Sequence, residues 1–137
     1  MPAPNQHTST PHSPVAAGRP AAPVLALRVL TLATVVVLGW QFATAAGLFT
    51  GSGPGPHGAG AIVLHVVTGL TALAAGWLGG VRGGPWWPTV LAAAAFGFTF
   101  VQAAFGEISG LVVHLPGAMA LTVTTVWLAA WSFLRAP

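Results

Sequence analysis

The chain has 137 residues, of which 55% are hydrophobic and 4% charged, and its formal net charge is +3. Roughly a quarter of the residues of a soluble domain are charged, so four arginines and one glutamate cannot furnish a water-facing surface, and lipid must be the solvent for most of the chain. The scattered arginines form no basic cluster, so no nucleic-acid partner is expected, and the lack of cysteine excludes disulfides, iron–sulfur ligation and thiolate metal sites.

Residues 1–23 hold six prolines and no apolar periodicity. Such a segment buries too little surface to offset its ordering entropy, which predicts a disordered tail with His7 and His12 solvated in it. A first span is predicted over residues 24–49, longer than the roughly 20 residues needed to cross a hydrocarbon core. Arg28, one turn inside its start, is expected to snorkel to the headgroups. Gln41 is its one strongly polar residue. Leu30 to Leu38 followed by Ala43-Thr44-Ala45 has the outline of a signal peptide. The apolar run continues to Phe49 and the preceding tail is long, so an uncleaved helix is the preferred reading.

The Gly- and Pro-rich segment 50–58, with His57 near its end, reads as a loop. A second span follows over residues 58–80, then a tight basic turn, Val81-Arg82-Gly83-Gly84. Pro85-Trp86-Trp87-Pro88 opens a third span, residues 86–106, which contains Gln102; proline suits a first helical turn and tryptophan an interface. After a turn containing Glu107, a fourth span covers residues 110–134. No repeat of the kind that marks inverted-repeat transporters is evident. The expected fold is an all-α transmembrane four-helix bundle. With four spans, Arg19, Arg28, Arg82 and Arg135 fall on one side, together with Trp77, Trp86, Trp87, Trp127 and Trp131. The positive-inside rule makes that side cytoplasmic, with both termini on it, in a multi-pass protein of the plasma membrane.

Two polar residues interrupt the apolar spans where chemistry is expected. His65 lies about 10 Å from the arginine-free end of its span and His114 about 6 Å from the same end of its own, at 1.5 Å per residue. Facing helices of a bundle can offer two such imidazoles to one flat ligand. Gly69, Ala72 and Gly76 share a face with His65, and Gly117 and Ala118 lie beside His114. Small residues leave room for a tetrapyrrole; they equally allow close helix packing. Three readings of the histidines follow: ligands of haem b, hydrogen-bonding glue between helices, or, with His57, a zinc or copper site. Pro116 either kinks the fourth helix at His114 or marks a helix that begins near Leu115 with His114 capping it. Glu107 is either a solvated carboxylate or a hydrogen-bond partner for a histidine. Gln41 and Gln102 are expected to bridge helices, or to touch a haem or quinone.

Gln102 with Gly106, followed by Val113-His114-Leu115 and a small residue, resembles one half of haem A synthase, over about residues 25–134. That family has two four-helix halves, each with a histidine on its second and fourth helices near the outer face. The resemblance implies His65 and His114 as axial ligands. The chain departs from the pattern in having one half, in placing Ile62 where the family has a glutamate three residues before the ligand, and in having Val66 where the family has arginine. At most a haem-binding half-module carries over. The layout is also similar to small four-span membrane proteins of actinobacteria. The expected function is haem b binding between spans two and four for electron transfer or haem handling, with a membrane redox partner or quinone and with oligomers a further option. Bis-histidine ligation leaves no open iron position, so catalysis is not expected. The alternative is a cofactor-free accessory protein of a larger complex.

Overall fold

The computed structural model describes residues 21–51, 53–106 and 110–134. The predicted tail up to residue 20, the turn with Glu107, and Arg135 lie outside the described residues. The described residues form four helices and no strand: α1 (Ala22–Phe49), α2 (Gly55–Arg82), α3 (Trp87–Ala104) and α4 (Leu111–Leu134). Each is long and apolar enough to cross a membrane, and the chain is a multi-pass membrane protein. α1 packs on α2 and α4, and α3 packs on the same two, so the backbones of the diagonal pairs α1/α3 and α2/α4 stand apart and only side chains meet across the bundle. At 1.5 Å per residue, α1 and α2 reach about 42 Å and α3 only about 27 Å.

The distribution of side chains is that of a bundle in lipid. Large apolar residues such as Val36, Leu73, Val90 and Val123 point outward, while the interior is built from alanine, threonine and a few leucines. Lipid tails are as apolar as leucine, so helices associate through close contact of small residues instead of by expelling water. Two apolar clusters result. One, around Leu27, Leu78 and Leu128, fills the arginine end; the other, formed by Leu38, Leu64, Ala95 and Leu121, crosses the middle. Thr31, Thr34, Thr68, Thr71, Thr99, Thr125 and Ser132 are also buried. Each hydroxyl donates to a carbonyl three or four residues earlier on its own helix, which satisfies it without a partner helix. Thr34 and Thr71 also meet across α1 and α2 at 3.2 Å.

Three local features refine the sequence expectations, and the second decides between the two readings of Pro116. α2 begins at Gly55, not Gly58: the N–H of Gly58 bonds to the Pro54 carbonyl at 2.8 Å, and Pro56 sits in the first turn, where its missing N–H costs nothing. His57 is therefore a helical residue. α4 begins at Leu111 and continues through Pro116, so His114 lies inside the helix and does not cap it. The Arg28 guanidinium donates to the Ser132 carbonyl at 2.8 Å and stands 5.2 Å from the Phe133 ring centre. It thus holds the last turn of α4, where carbonyls have no helical partner. At the other end of α2, Gly83 takes φ +60°, a left-handed cap that favours glycine.

Candidate functional site

The end of the bundle where α1 turns into α2 and α3 into α4 holds a cavity of about 360 Å³. All four helices line it, and Leu38, Leu64 and Leu121 of the middle cluster form its floor. The short α3 leaves α1 and α2 standing past it, so the helices cannot close on one another at this level. The walls are mainly apolar. The polar groups on them are His57 and His65 from α2, His114 from α4, Gln41 from α1, and Gln102 and Thr99 from α3. No lysine, arginine or acidic residue lines the cavity among the described residues.

Each imidazole is held through the same nitrogen. His114 Nδ1 lies 2.9 Å from the Gln102 carbonyl, His65 Nδ1 2.6 Å from the Ala61 carbonyl, and His57 Nδ1 3.2 Å from the Gln41 carbonyl. A carbonyl oxygen only accepts, so Nδ1 carries a proton in all three, which leaves Nε2 as the nitrogen that could coordinate a metal. His57 Nδ1 is also 3.3 Å from the Thr44 hydroxyl, which already donates to the Trp40 carbonyl. A histidine with Nδ1–H on a backbone carbonyl and a free Nε2 is arranged as metal-ligating histidines are.

Two glutamines complete these contacts from the opposite direction. The Gln102 amide donates to the His114 carbonyl at 2.8 Å while its own backbone carbonyl receives His114 Nδ1–H. Gln102 is 6% exposed, and its Oε1 is buried with no partner. Gln41 makes the matching set on α2. With its amide oriented to satisfy both atoms, it donates to the His57 carbonyl at 3.0 Å and accepts from the Ala61 N–H at 3.2 Å. Each glutamine lies against a glycine, Gln41 on Gly60 and Gln102 on Gly117, where a Cβ would collide with the amide.

The sequence-predicted residues divide in two groups. His65, His114, Gln102 and Ala118 line the cavity. Gly117 does not, and serves instead as the seat for Gln102. Gly69 lies outside the cavity: its open side faces the Phe96 ring, and Phe96 stacks edge-on to Phe100, which in turn meets the His65 ring at 4.3 Å. Gly76 likewise faces Thr89 across α2 and α3, a packing role. The rings of His57 and His114 have centres 6.3 Å apart and planes at 62°. Among the described residues no three histidine or acidic side chains are grouped to hold one metal ion. The Gly/Pro surroundings of His57 made it read as a loop residue, and the structure places it in α2. The signal that finds it is the shared His-x-x-Gly-Ala pattern of residues 57–61 and 114–118.

Comparison with protein-family models, curated proteins and solved structures finds no match for this chain.

Proposed function

We propose that this protein binds haem b in the cavity at the arginine-free end of the bundle, for electron transfer or haem handling. The observation behind this reading is a mainly apolar cavity lined by imidazoles that are each held through Nδ1 and whose Nε2 atoms have no hydrogen-bond partner among the described residues. That donor set suits haem iron, and the apolar walls suit a macrocycle. Iron held by His114 from α4 and a histidine from α2 would supply a one-electron couple with no open coordination position. The residues of the chain fix the rings: the backbone carbonyl of Gln102 sets the His114 tautomer, and the leucine floor keeps water from below. No basic residue lines the cavity, so the carboxylates of a bound porphyrin would face the loop end, where water can solvate them. A quinone or a membrane redox protein is the expected electron partner.

The test is an absorption spectrum of detergent-purified protein, oxidised and then reduced with dithionite, beside His114→Ala. A reduced b-type band pattern in the wild type that the variant loses is the expected result. A protein that stays colourless after haem is supplied would sink the proposal. It would leave a cofactor-free membrane protein whose histidines serve only as hydrogen bonds between helices.

Orientation belongs to the same proposal. Arg28 and Arg82 lie on the helix ends away from the cavity, Arg19 and Arg135 adjoin α1 and α4 in sequence, and by the positive-inside rule that end is cytoplasmic, with the cavity opening on the outer side of the plasma membrane. The chain has no cysteine, so single cysteines report cleanly. Thr50→Cys is expected to react with a membrane-impermeant maleimide on intact cells, and Gly84→Cys only after lysis. The opposite pattern reverses the topology.

A further inference from the structure

The α1–α2 and α3–α4 hairpins are two copies of one unit. His57, Gly60, Ala61, Leu64 and Thr68 recur at a constant spacing of 57 positions as His114, Gly117, Ala118, Leu121 and Thr125. The matched positions share surroundings as well as identity. The glycine, leucine and threonine are buried in both copies, and the histidine and alanine are half-buried in both. In the first helix of each unit, Thr31, Thr34, Leu38 and Gln41 match Ala92, Ala95, Thr99 and Gln102, and the first three pairs are buried in both copies. The glutamine clamps share three features: amide to histidine carbonyl, histidine Nδ1–H to glutamine carbonyl, and amide seated on glycine; they differ in that Gln41 Oε1 also accepts from the Ala61 N–H. With α1 diagonal to α3 and α2 diagonal to α4, the matched residues are related by an approximate two-fold along the bundle, although the helices themselves differ in length.

That symmetry bears on which imidazoles share a ligand. An imidazole bound through Nε2 at roughly 2.0 Å has its ring centre a little over 3 Å from the ion, so two opposed imidazoles stand about 6.3 Å apart. His57 and His114, which occupy equivalent positions, are 6.3 Å apart. His65 has a different equivalent, Thr122. The Thr122 hydroxyl donates to the Ala118 carbonyl at 2.8 Å, and His65 Nδ1 makes the same bond, to the Ala61 carbonyl. At that position the fold asks only for a donor to the preceding turn. His65 is also eight residues beyond His57, about 12 Å along α2.

We infer that the ligand pair is His57 with His114, one imidazole from each copy of the repeated unit, meeting across the axis of the bundle. His65 stands outside the pair, and Gln41 and Gln102 are positioning residues for the two rings. The inference rests on the haem reading above and changes its α2 ligand from the one that the family resemblance implies.

The experiment loads the full-length protein with haem b and records the ferric spectrum and the reduction potential. Methionine is placed at each histidine in turn, because a thioether can still ligate and His/Met ligation raises the potential relative to bis-histidine. His57→Met and His114→Met are each expected to raise the potential by similar amounts, and His65→Met to leave it unchanged. His57→Ala and His114→Ala are expected to turn the low-spin spectrum high-spin, with added imidazole restoring it. A raised potential in His65→Met beside an unchanged one in His57→Met would overturn the inference while leaving the haem reading intact. A wild-type protein that takes up no haem would overturn both.

Discussion

Gly117→Val is expected to lower stability in detergent by about 2–4 kcal/mol, read as a shifted midpoint in thermal or denaturant unfolding. A Cβ at Gly117 would overlap Gln102 Oε1 and lie 2.8 Å from its Cδ and 3.0 Å from the Phe98 ring. Gln102 cannot swing aside cheaply, because it is buried and its amide is bonded to the His114 carbonyl. The substitution therefore adds an overpacking cost of roughly 1–3 kcal/mol to a lost hydrogen bond of roughly 1 kcal/mol. Gly60→Val, its equivalent on α2, meets Gln41 and Trp40. Trp40 is 56% exposed and can yield toward lipid, so the smaller loss is expected there. Gly97→Ala is the control. Nothing lies within 4 Å of a Cβ at that position, and removing a helical glycine should be neutral or stabilising by up to about 1 kcal/mol. Unchanged stability in Gly117→Val would mean that Gln102 is not pinned against α4.

Gln102→Leu separates a binding role from a packing one. The substitution removes one made hydrogen bond, worth roughly 0.5–1.5 kcal/mol, and one buried acceptor with no partner, whose burial costs roughly 1–3 kcal/mol. These terms oppose each other, so the stability of the haem-free protein is expected to change by less than about 1 kcal/mol in either direction. Haem affinity is expected to fall roughly 10- to 100-fold, the usual effect of removing a group that orients a metal-ligating histidine. The two readings come from one preparation, by unfolding and by haem titration. A large loss of stability with unchanged haem affinity would make Gln102 a helix-packing residue only.

The membrane architecture was legible in the sequence because it follows from a quantity summed over many residues. With so few charges, every long apolar run must be a span, and the Gly/Pro turns between runs divide the chain into four. The element boundaries were less so. Pro56 reads as a loop residue, yet proline in a first turn loses no hydrogen bond, and α2 therefore takes in His57. Pro116 left two readings open, a proline within the helix or a helix starting beside it, and α4 passes through it. The buried threonines gave no signal, since a hydroxyl that bonds to its own helix leaves no trace in hydropathy.

The repeat escaped notice for a related reason. Its identities fall on the inward face of each helix, a few positions in every two turns, while the lipid-facing residues between them are free to be any apolar type. Averaged along the chain, that pattern is diluted; viewed from the axis of the bundle, it is continuous. The order of apolar runs and turns along the chain therefore determines that the protein has four apolar helices, since the partition of side chains between water and lipid does not depend on which helix neighbours which. Which histidine faces which could be read only from the folded bundle. Two rings on diagonal helices meet through the packing of both hairpins, and the eight residues between His57 and His65 amount to about 12 Å along α2.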